Sequence, residues 1–98
     1  LKLSKNFEET EDFDISEKDI VYMCGLTSSD ADERMRNKYQ MTTSRAERLK
    51  KSAIILNPLP RIDEINKDID KLLNAKYFEQ SKNGIFVRMA LFVKMLKS

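Results

Sequence analysis

Two short apolar runs, Ile20-Val21-Tyr22-Met23-Cys24 and Ala53-Ile54-Ile55-Leu56, decide the fold of this sequence. Neither run alternates between apolar and polar residues, a pattern typical of strands covered on both faces of a parallel sheet. Between them, residues 28–38 carry acids early and bases late, as helices often do, and Ser44-Arg45-Ala46-Glu47 has the spacing of a capping box that opens a short helix to Lys51. Parallel strands joined by a helical crossover form a right-handed βαβ unit, so the sequence predicts an α/β fold.

The segments outside this unit are less regular. Residues 1–19 predict an edge strand around Leu1-Lys2-Leu3 and then an acidic surface segment. After the second run, Asn57-Pro58-Leu59-Pro60-Arg61 predicts a rigid loop, because each Pro lacks an amide donor and restricts the residue before it. Ala75 to Ser81 predicts a short helix.

The last apolar stretch is unusual for so short a chain. Ile85 to Leu96 holds ten apolar residues in twelve, the pattern of a helix buried nearly all round. Two strands and two short helices cannot cover such a helix, so we expect it to pack partly against something outside this sequence. Arg88, inside this stretch, needs an acidic partner if it is buried, and Asp63 and Glu64 are the predicted candidates.

Composition excludes several kinds of site. The 98 residues suffice for one domain, and with no His and a single Cys they cannot by themselves build a Cys-His zinc cluster, a Ser-His-Asp triad or a Cys-His nucleophile. No metal site and no cofactor are predicted. The lone thiol of Cys24 favours a reducing compartment, so we expect a cytoplasmic protein. We expect no nucleic-acid partner, since no aromatic platform accompanies the basic residues, and no membrane partner, since a span needs about 20 apolar residues.

The candidate site lies where the two predicted strands end. Gly25-Leu26-Thr27-Ser28-Ser29 follows the first strand and Asn57 to Arg61 follows the second. In open parallel sheets ligands bind beyond the carboxyl ends of the strands, so both loops belong to one candidate edge. The carbonyls of Pro58 and Leu59 have no regular ladder to join and can accept from a ligand amino group. A stiff turn without function is the alternative that the local sequence leaves open.

Four stretches of the sequence resemble aspartate carbamoyltransferase catalytic chains. Asn57-Pro58-Leu59-Pro60-Arg61-Ile62-Asp63-Glu64-Ile65 resembles a family loop in which His usually precedes Pro-Leu-Pro-Arg-Val-Asp-Glu-Ile. Ala75 to Gln80 and Asn83 to Leu91 resemble the closing segment of those chains, in the same order, and Asp19 to Met23 resembles the strand before their aspartate-contacting loop. The resemblance implies a Rossmann-like parallel sheet with flanking helices, which is part of the second, aspartate-binding domain.

The resemblance also implies how the chain is organised and what it does. Residues 1–98 would form one partial domain, and residues 84–97 a final helix that packs on a carbamoyl-phosphate domain. The family transfers the carbamoyl group of carbamoyl phosphate to the amino group of L-aspartate, giving N-carbamoyl-L-aspartate and phosphate in de novo pyrimidine biosynthesis. Its trimers share active sites across subunit interfaces, so a homotrimer or higher assembly is expected.

For individual residues, the resemblance implies that the carbonyls of Pro58 and Leu59 bind the carbamoyl amino group, with a cis bond before Pro60. It gives supporting roles to Asn57, Arg61 and Arg88. The phosphate-binding Ser-x-Arg-Thr-Arg motif and the catalytic His of the family belong to its first domain and do not occur here. We therefore expect no catalytic residue in these 98 residues and no activity from them alone.

The loop after the first strand departs from the family. Relatives usually read Thr-Arg-x-Gln there, and the Arg and Gln bind the aspartate carboxylates, whereas here Gly25 stands at the Arg position and Thr27 at the Gln position. A carboxylate enclosed in a site needs a charged, forked donor, which neither residue supplies. Arg34 and Arg36 are candidates to replace it. Three alternatives stay open: a transferase for aspartate, a transferase for another amino acid, and a catalytically silent paralogue that acts in assembly or regulation.

Overall fold

The structure, a computed structural model, describes residues 7–25 and 33–97. Its elements are β1 (Ile20–Tyr22), α1 (Glu33–Tyr39), α2 (Thr43–Glu47), β2 (Ile54–Leu56), a 3-10 helix (Lys67–Lys71) and α3 (Tyr77–Lys97). β1 and β2 pair in parallel, with Val21 opposite Ile55. The predicted α/β class and the parallel pairing are therefore confirmed, while the edge strand predicted at residues 1–3 lies outside the described residues.

The two strands are shorter and less covered than predicted. Val21 is buried, but its neighbours Ile20 and Tyr22 are 60% and 52% exposed, so one face of β1 is open. The prediction that both faces are covered is wrong for β1, because the described residues bury Val21 but leave Ile20 and Tyr22 more than half exposed. β2 is more central, since Ile55 also forms a parallel bridge to Ala75 on its other edge. There Ile55 N donates to Asn74 O at 2.8 Å and Lys76 N donates to Ile55 O at 3.0 Å.

One hydrophobic core joins the elements. Its largest fully buried apolar side chains lie on β2, just before α2, just before and within the 3-10 helix, and at the start of α3. In chain order they are Met41, Ile55, Ile65, Ile69 and Tyr77. The N-cap of α2 is Thr42, two residues before the predicted cap Ser44, because Thr42 Oγ1 accepts from Arg45 N at 3.3 Å and caps the first turn. A parallel bridge between Met41 and Ile65 ties this region to the segment after β2.

α3 is a single helix of 21 residues, where the sequence predicted two. Asn83 and Gly84, which separate the two predicted helices, continue the helical backbone. Tyr77 is fully buried, but the large apolar side chains from residue 85 onward are exposed: Ile85, Phe86, Val87, Met89, Leu91, Phe92, Val93, Met95 and Leu96. The prediction of a helix buried nearly all round is therefore wrong within the described chain. No helix in residues 7–25 and 33–97 is long and apolar enough to cross a membrane.

Arg88 also differs from its prediction. Its side chain is exposed, and it forms no ion pair with any described residue. The two predicted partners are engaged elsewhere: Asp63 pairs with Arg36, and Glu64 accepts a hydrogen bond from Asn57. The Arg88 guanidinium instead lies along its own helix, where a Cβ added at Gly84 would be 3.3 Å from Nη1.

Candidate functional site

The chain leaves β1 and β2 at the same edge of the sheet. Met23 N donates to Leu56 O at 2.9 Å, which continues the parallel pairing one residue beyond the strands. Asn57 then follows Leu56, and its side chain reaches back to Met23 O at 2.8 Å. Gly25 lies two residues after Met23 and is exposed. The structure thus brings together the beginnings of the two predicted loops, while Thr27 lies outside the described residues.

Asn57 connects three separate segments to the second loop, which we call the site loop (Asn57–Arg61). The residue is fully buried. Its Nδ2 donates to Met23 O at 2.8 Å and to Glu64 Oε1 at 3.0 Å, and its Oδ1 accepts from Leu59 N at 2.6 Å. Its backbone amide donates to Gln80 Oε1 at 3.0 Å, on α3. Every polar atom of the Asn57 side chain is satisfied, as a buried amide requires.

This arrangement orients the Pro58 carbonyl. In a planar trans peptide the C=O points opposite to the N–H of the next residue. Since Leu59 N–H is directed inward to Asn57 Oδ1, the Pro58 oxygen is directed away from Asn57. No described residue donates a hydrogen bond to the carbonyl of Pro58 or Leu59. The two predicted acceptors are therefore unpaired in the described chain.

Leu59 has an unusual backbone conformation within the loop. Its φ angle is 42°, in the left-handed region that non-glycine residues seldom occupy. The bond between Leu59 and Pro60 is cis, which confirms the prediction that the resemblance implied. Pro58 and Pro60 are exposed and Leu59 is half-buried against the core. The loop thus presents its two proline rings outward.

Glu64 is the most buried charged group next to the site loop, at 2% exposure. Its Oε1 accepts from Asn57 Nδ2 and its Oε2 from Ile62 N at 3.1 Å. Burial acts to raise the pKa of Glu64, but the hydrogen bonds from Asn57 and from backbone amides outweigh it, so the pKa lies below its usual value. The ionised carboxylate therefore fastens the segment after the site loop to Asn57. No local sequence signal marks this role, because the contact depends on how the loop turns back.

Arg61 ends the site loop and faces the protein. Its side chain is 13% exposed and forms an ion pair with Asp70 on the 3-10 helix. Arg61 Nη1 also donates to Tyr77 Oη at 3.0 Å. These contacts engage the guanidinium and attach the end of the site loop to the 3-10 helix and to α3.

The first loop and α1 carry the residues predicted to bind the amino acid. Gly25 offers only its backbone. Arg36 pairs through Nε with Asp63 Oδ2 at 2.8 Å, and Gln40 Nε2 donates to Asp63 O at 2.7 Å, so α1 is attached to the segment after the site loop. Arg34 is exposed on the same helix. Across the described ranges, no three His, Cys, Asp or Glu side chains are grouped so that they could hold a metal ion.

Comparison with known proteins gives a consistent family. Residues 3–95 match the family model described as aspartate/ornithine carbamoyltransferase, Asp/Orn binding domain. The aspartate carbamoyltransferase catalytic subunit of Alkaliphilus oremlandii is 40% identical over 87 residues, which cover 84% of this chain and 26% of that protein. The corresponding subunit of Clostridium kluyveri is 38% identical over 102 residues, which cover 95% of this chain and 33% of that protein.

Solved structures agree with the sequence relatives. Ligand-free aspartate transcarbamoylase from Trypanosoma cruzi is similar with a TM-score of 0.73 and 29% identity, over 86% of this chain and 27% of that one. The same enzyme in complex with carbamoyl phosphate and aspartate is similar with a TM-score of 0.72 and 28% identity, over 85% and 26%. The chain thus spans a third or less of the length of these relatives.

Proposed function

The chain belongs to the aspartate/ornithine carbamoyltransferase family, and from that premise we propose that it is the amino-acid-binding part of an aspartate carbamoyltransferase. The reaction is transfer of the carbamoyl group of carbamoyl phosphate to L-aspartate, which gives N-carbamoyl-L-aspartate and phosphate and serves pyrimidine synthesis. The observation that carries the proposal is the pair of unpaired carbonyls at Pro58 and Leu59, in a loop that Asn57 holds in place.

In this reaction the aspartate amine attacks the carbamoyl carbon. A C–N bond forms, the bond from that carbon to the phosphate oxygen breaks, and the amine loses a proton. The site loop contributes orientation: its two carbonyls accept from the carbamoyl amino group and hold the electrophilic carbon for attack. Donors for the phosphate and for the developing oxyanion would come from the rest of the longer protein.

We also propose that residues 84–97 pack on a carbamoyl-phosphate domain. The continuous exposure of apolar side chains on α3 supports this, because patches of that size on soluble proteins usually meet a partner surface. Arg88, which has no partner among the described residues, would find one at that contact.

The assembly and its location follow the family resemblance. We propose a homotrimer or a higher assembly that works in the cytoplasm. The single thiol, Cys24, is free and exposed, which agrees with a reducing compartment.

One observation favours a second candidate. Gly25 supplies no side chain at the position where the family resemblance implies an Arg, and Arg36 is paired with Asp63. A chain that binds carbamoyl phosphate but handles aspartate poorly would be a transferase for another amino acid, or a silent paralogue retained for assembly or regulation.

An assay of the full-length protein separates these candidates. With carbamoyl phosphate and aspartate, we expect N-carbamoyl-aspartate to form and phosphate to be released in equal amount. Turnover with a different amino acid would support the altered-specificity alternative. Binding of carbamoyl phosphate without transfer to any amino acid would support the silent paralogue and contradict the proposed activity.

Restoring the family residues at the first loop gives a further prediction. We expect the full-length double variant Gly25→Arg and Thr27→Gln to bind aspartate at least about tenfold more tightly, because a charged hydrogen bond contributes about 1.5–3 kcal/mol and 1.4 kcal/mol is tenfold. Affinity for carbamoyl phosphate should not change. Isothermal titration with each substrate measures both.

The single variants Arg34→Ala and Arg36→Ala are the controls for this prediction. If the unmodified protein uses a relocated Arg, one of the two should lose aspartate affinity. Tight aspartate binding that survives both changes, with no gain in the double variant, would show that aspartate binding does not depend on a clamp at this loop.

A further inference from the structure

A second set of contacts holds the far end of the site loop, and two of its members lie outside the loop. Arg61 Nη2 donates to Asp70 Oδ2 at 2.6 Å, and Arg61 Nη1 donates to Asp70 Oδ1 and to Tyr77 Oη. Tyr77 Oη in turn donates to Asp70 Oδ1. We call Arg61, Asp70 and Tyr77 the loop anchor. It joins the site loop to the 3-10 helix and to the first residue of α3.

The loop anchor differs from an ordinary surface ion pair. Exposed pairs contribute little because water screens them and their side chains are mobile. Here Tyr77 is fully buried, and the side chains of Arg61 and Asp70 are 13% and 31% exposed. The contact is forked, with both carboxylate oxygens engaged, which fixes geometry as well as charge.

Two aromatic rings add to this arrangement. The Arg61 guanidinium carbon lies 5.5 Å from the ring centroid of Tyr77 and 5.8 Å from that of Phe78, within the range of cation–π attraction. The two rings lie 4.9 Å apart. Arg61 is therefore held by a carboxylate, a hydroxyl and two ring faces.

The charges of the loop anchor do not change near neutral pH. The hydrogen bond from Arg61 lowers the pKa of Asp70, and the same contact raises the pKa of Arg61. Burial, and then the contact with Asp70, raises the pKa of Tyr77 to about 12. The ion pair and the neutral hydroxyl thus coexist near neutral pH.

We propose that Asp70 and Tyr77 are positioning residues of the carbamoyl site, which act through Arg61 to set the direction of the Leu59 carbonyl. Only Pro60, whose ring restricts its φ angle, separates Leu59 from Arg61. The site loop is then fixed at both ends, by Asn57 at the start and by the loop anchor at the finish, with the unpaired carbonyls between. This inference rests on the proposed function of the loop, and it assigns a role to two residues outside it.

The test uses Asp70→Asn in the full-length protein, with Asp68→Asn as the matched control. Asp68 lies on the same 3-10 helix and is exposed, and its carboxylate contacts no described residue through a hydrogen bond or ion pair. We expect Asp70→Asn to raise the KM for carbamoyl phosphate about tenfold, since it removes charged hydrogen bonds, while the KM for the amino acid stays within about twofold. A purely structural role would lower the active fraction, and hence kcat, and leave both KM values unchanged.

Two further variants sharpen the result. Asp70→Glu restores a carboxylate and should recover most of the lost affinity. Tyr77→Phe removes the hydroxyl and keeps the ring. The hydrogen bonds of the hydroxyl with Arg61 and Asp70 are lost, but the ion pair between those two residues remains, so we expect a smaller rise in the same KM, about threefold. If Asp70→Asn fails to fold, Tyr77→Phe decides the question.

Hydrogen exchange provides a readout that does not depend on activity. The amides of Leu59 and Ile62 donate to Asn57 Oδ1 and Glu64 Oε2, so a peptide covering residues 57–62 reports how firmly the loop is held. We expect faster exchange there in Asp70→Asn and Tyr77→Phe than in Asp68→Asn, with β2 unchanged. An inactive full-length protein would overturn the proposed function, and the exchange result would still decide on the loop anchor. If Asp70→Asn and Tyr77→Phe gave the same exchange rates and KM values as Asp68→Asn, the proposal that Asp70 and Tyr77 position the Leu59 carbonyl would be overturned.

Discussion

Asn57→Ala is expected to lower the free energy of unfolding of the full-length protein by about 3–5 kcal/mol. The change removes the amide that donates to Met23 O and Glu64 Oε1 and accepts from Leu59 N. It leaves a buried carboxylate without its side-chain donor, and buried unpaired groups are costly. Folded proteins have only about 5–15 kcal/mol to lose, so the effect is large. Denaturant unfolding measures it.

Asn66→Ala is the matched control for this substitution. Asn66 caps the 3-10 helix by accepting from Asp68 N at 3.0 Å, and it is exposed. We expect a loss of about 1 kcal/mol for such a cap. Equal losses at the two positions would mean that the Asn57 contacts do not hold the loop and the end of β1 together.

Phe92→Asp should have a comparably large effect on the longer protein. If the apolar surface of α3 packs on a second domain, this change gives up about 1.5–3 kcal/mol of apolar burial and places a carboxylate where it has no partner. We expect a fall of about 3 kcal/mol or more in the free energy of unfolding, since burying an unpaired charge is among the most damaging single changes. Thermal or denaturant unfolding, together with size-exclusion chromatography, gives the measurement.

Lys82→Asp is the control on the same helix. Lys82 is exposed and lies before the apolar stretch, so we expect a change within about 0.5 kcal/mol. A loss at residue 92 no greater than that at residue 82 would show that α3 remains uncovered in the longer protein.

The parts of the fold that depend on local sequence could be predicted. The unbroken apolar runs predicted β1, β2 and their parallel pairing. The Pro-rich segment placed the site loop beyond β2, and the family resemblance indicated the cis bond before Pro60. These features follow from residue types at neighbouring positions, which is why they can be recognised without coordinates.

The parts that depend on distant contacts could not be predicted. Asn57 meets Met23 and Gln80, and Arg61 meets Asp70 and Tyr77, through the turn of the loop rather than through any local spacing. The same cause explains the wrong partner predicted for Arg88. Asp63 and Glu64 were candidates by proximity to the site, but the loop turns them toward Arg36 and Asn57.

The exposed face of β1 and the length of α3 have a related explanation. Apolar runs indicate that a surface is buried without indicating what buries it. Ile20, Tyr22 and the apolar residues of α3 are exposed, so the described residues do not cover them, and the domain proposed to cover α3 is not part of this chain. For α3, the sequence predicted that the helix packs partly against a surface outside this chain. It also predicted a break near Asn83 and Gly84 that the helix does not have.

The most direct test of the central claim is a crystal structure of the full-length protein with carbamoyl phosphate bound. We expect the carbamoyl nitrogen to lie within about 3.2 Å of the carbonyl oxygens of both Pro58 and Leu59, the normal range for N–H donors. The Asn57 contacts to Met23, Leu59 and Glu64 should persist in that complex. A carbamoyl nitrogen bound by other groups, with the Pro58 and Leu59 carbonyls turned away from it, would contradict the claim that this loop orients the carbamoyl group.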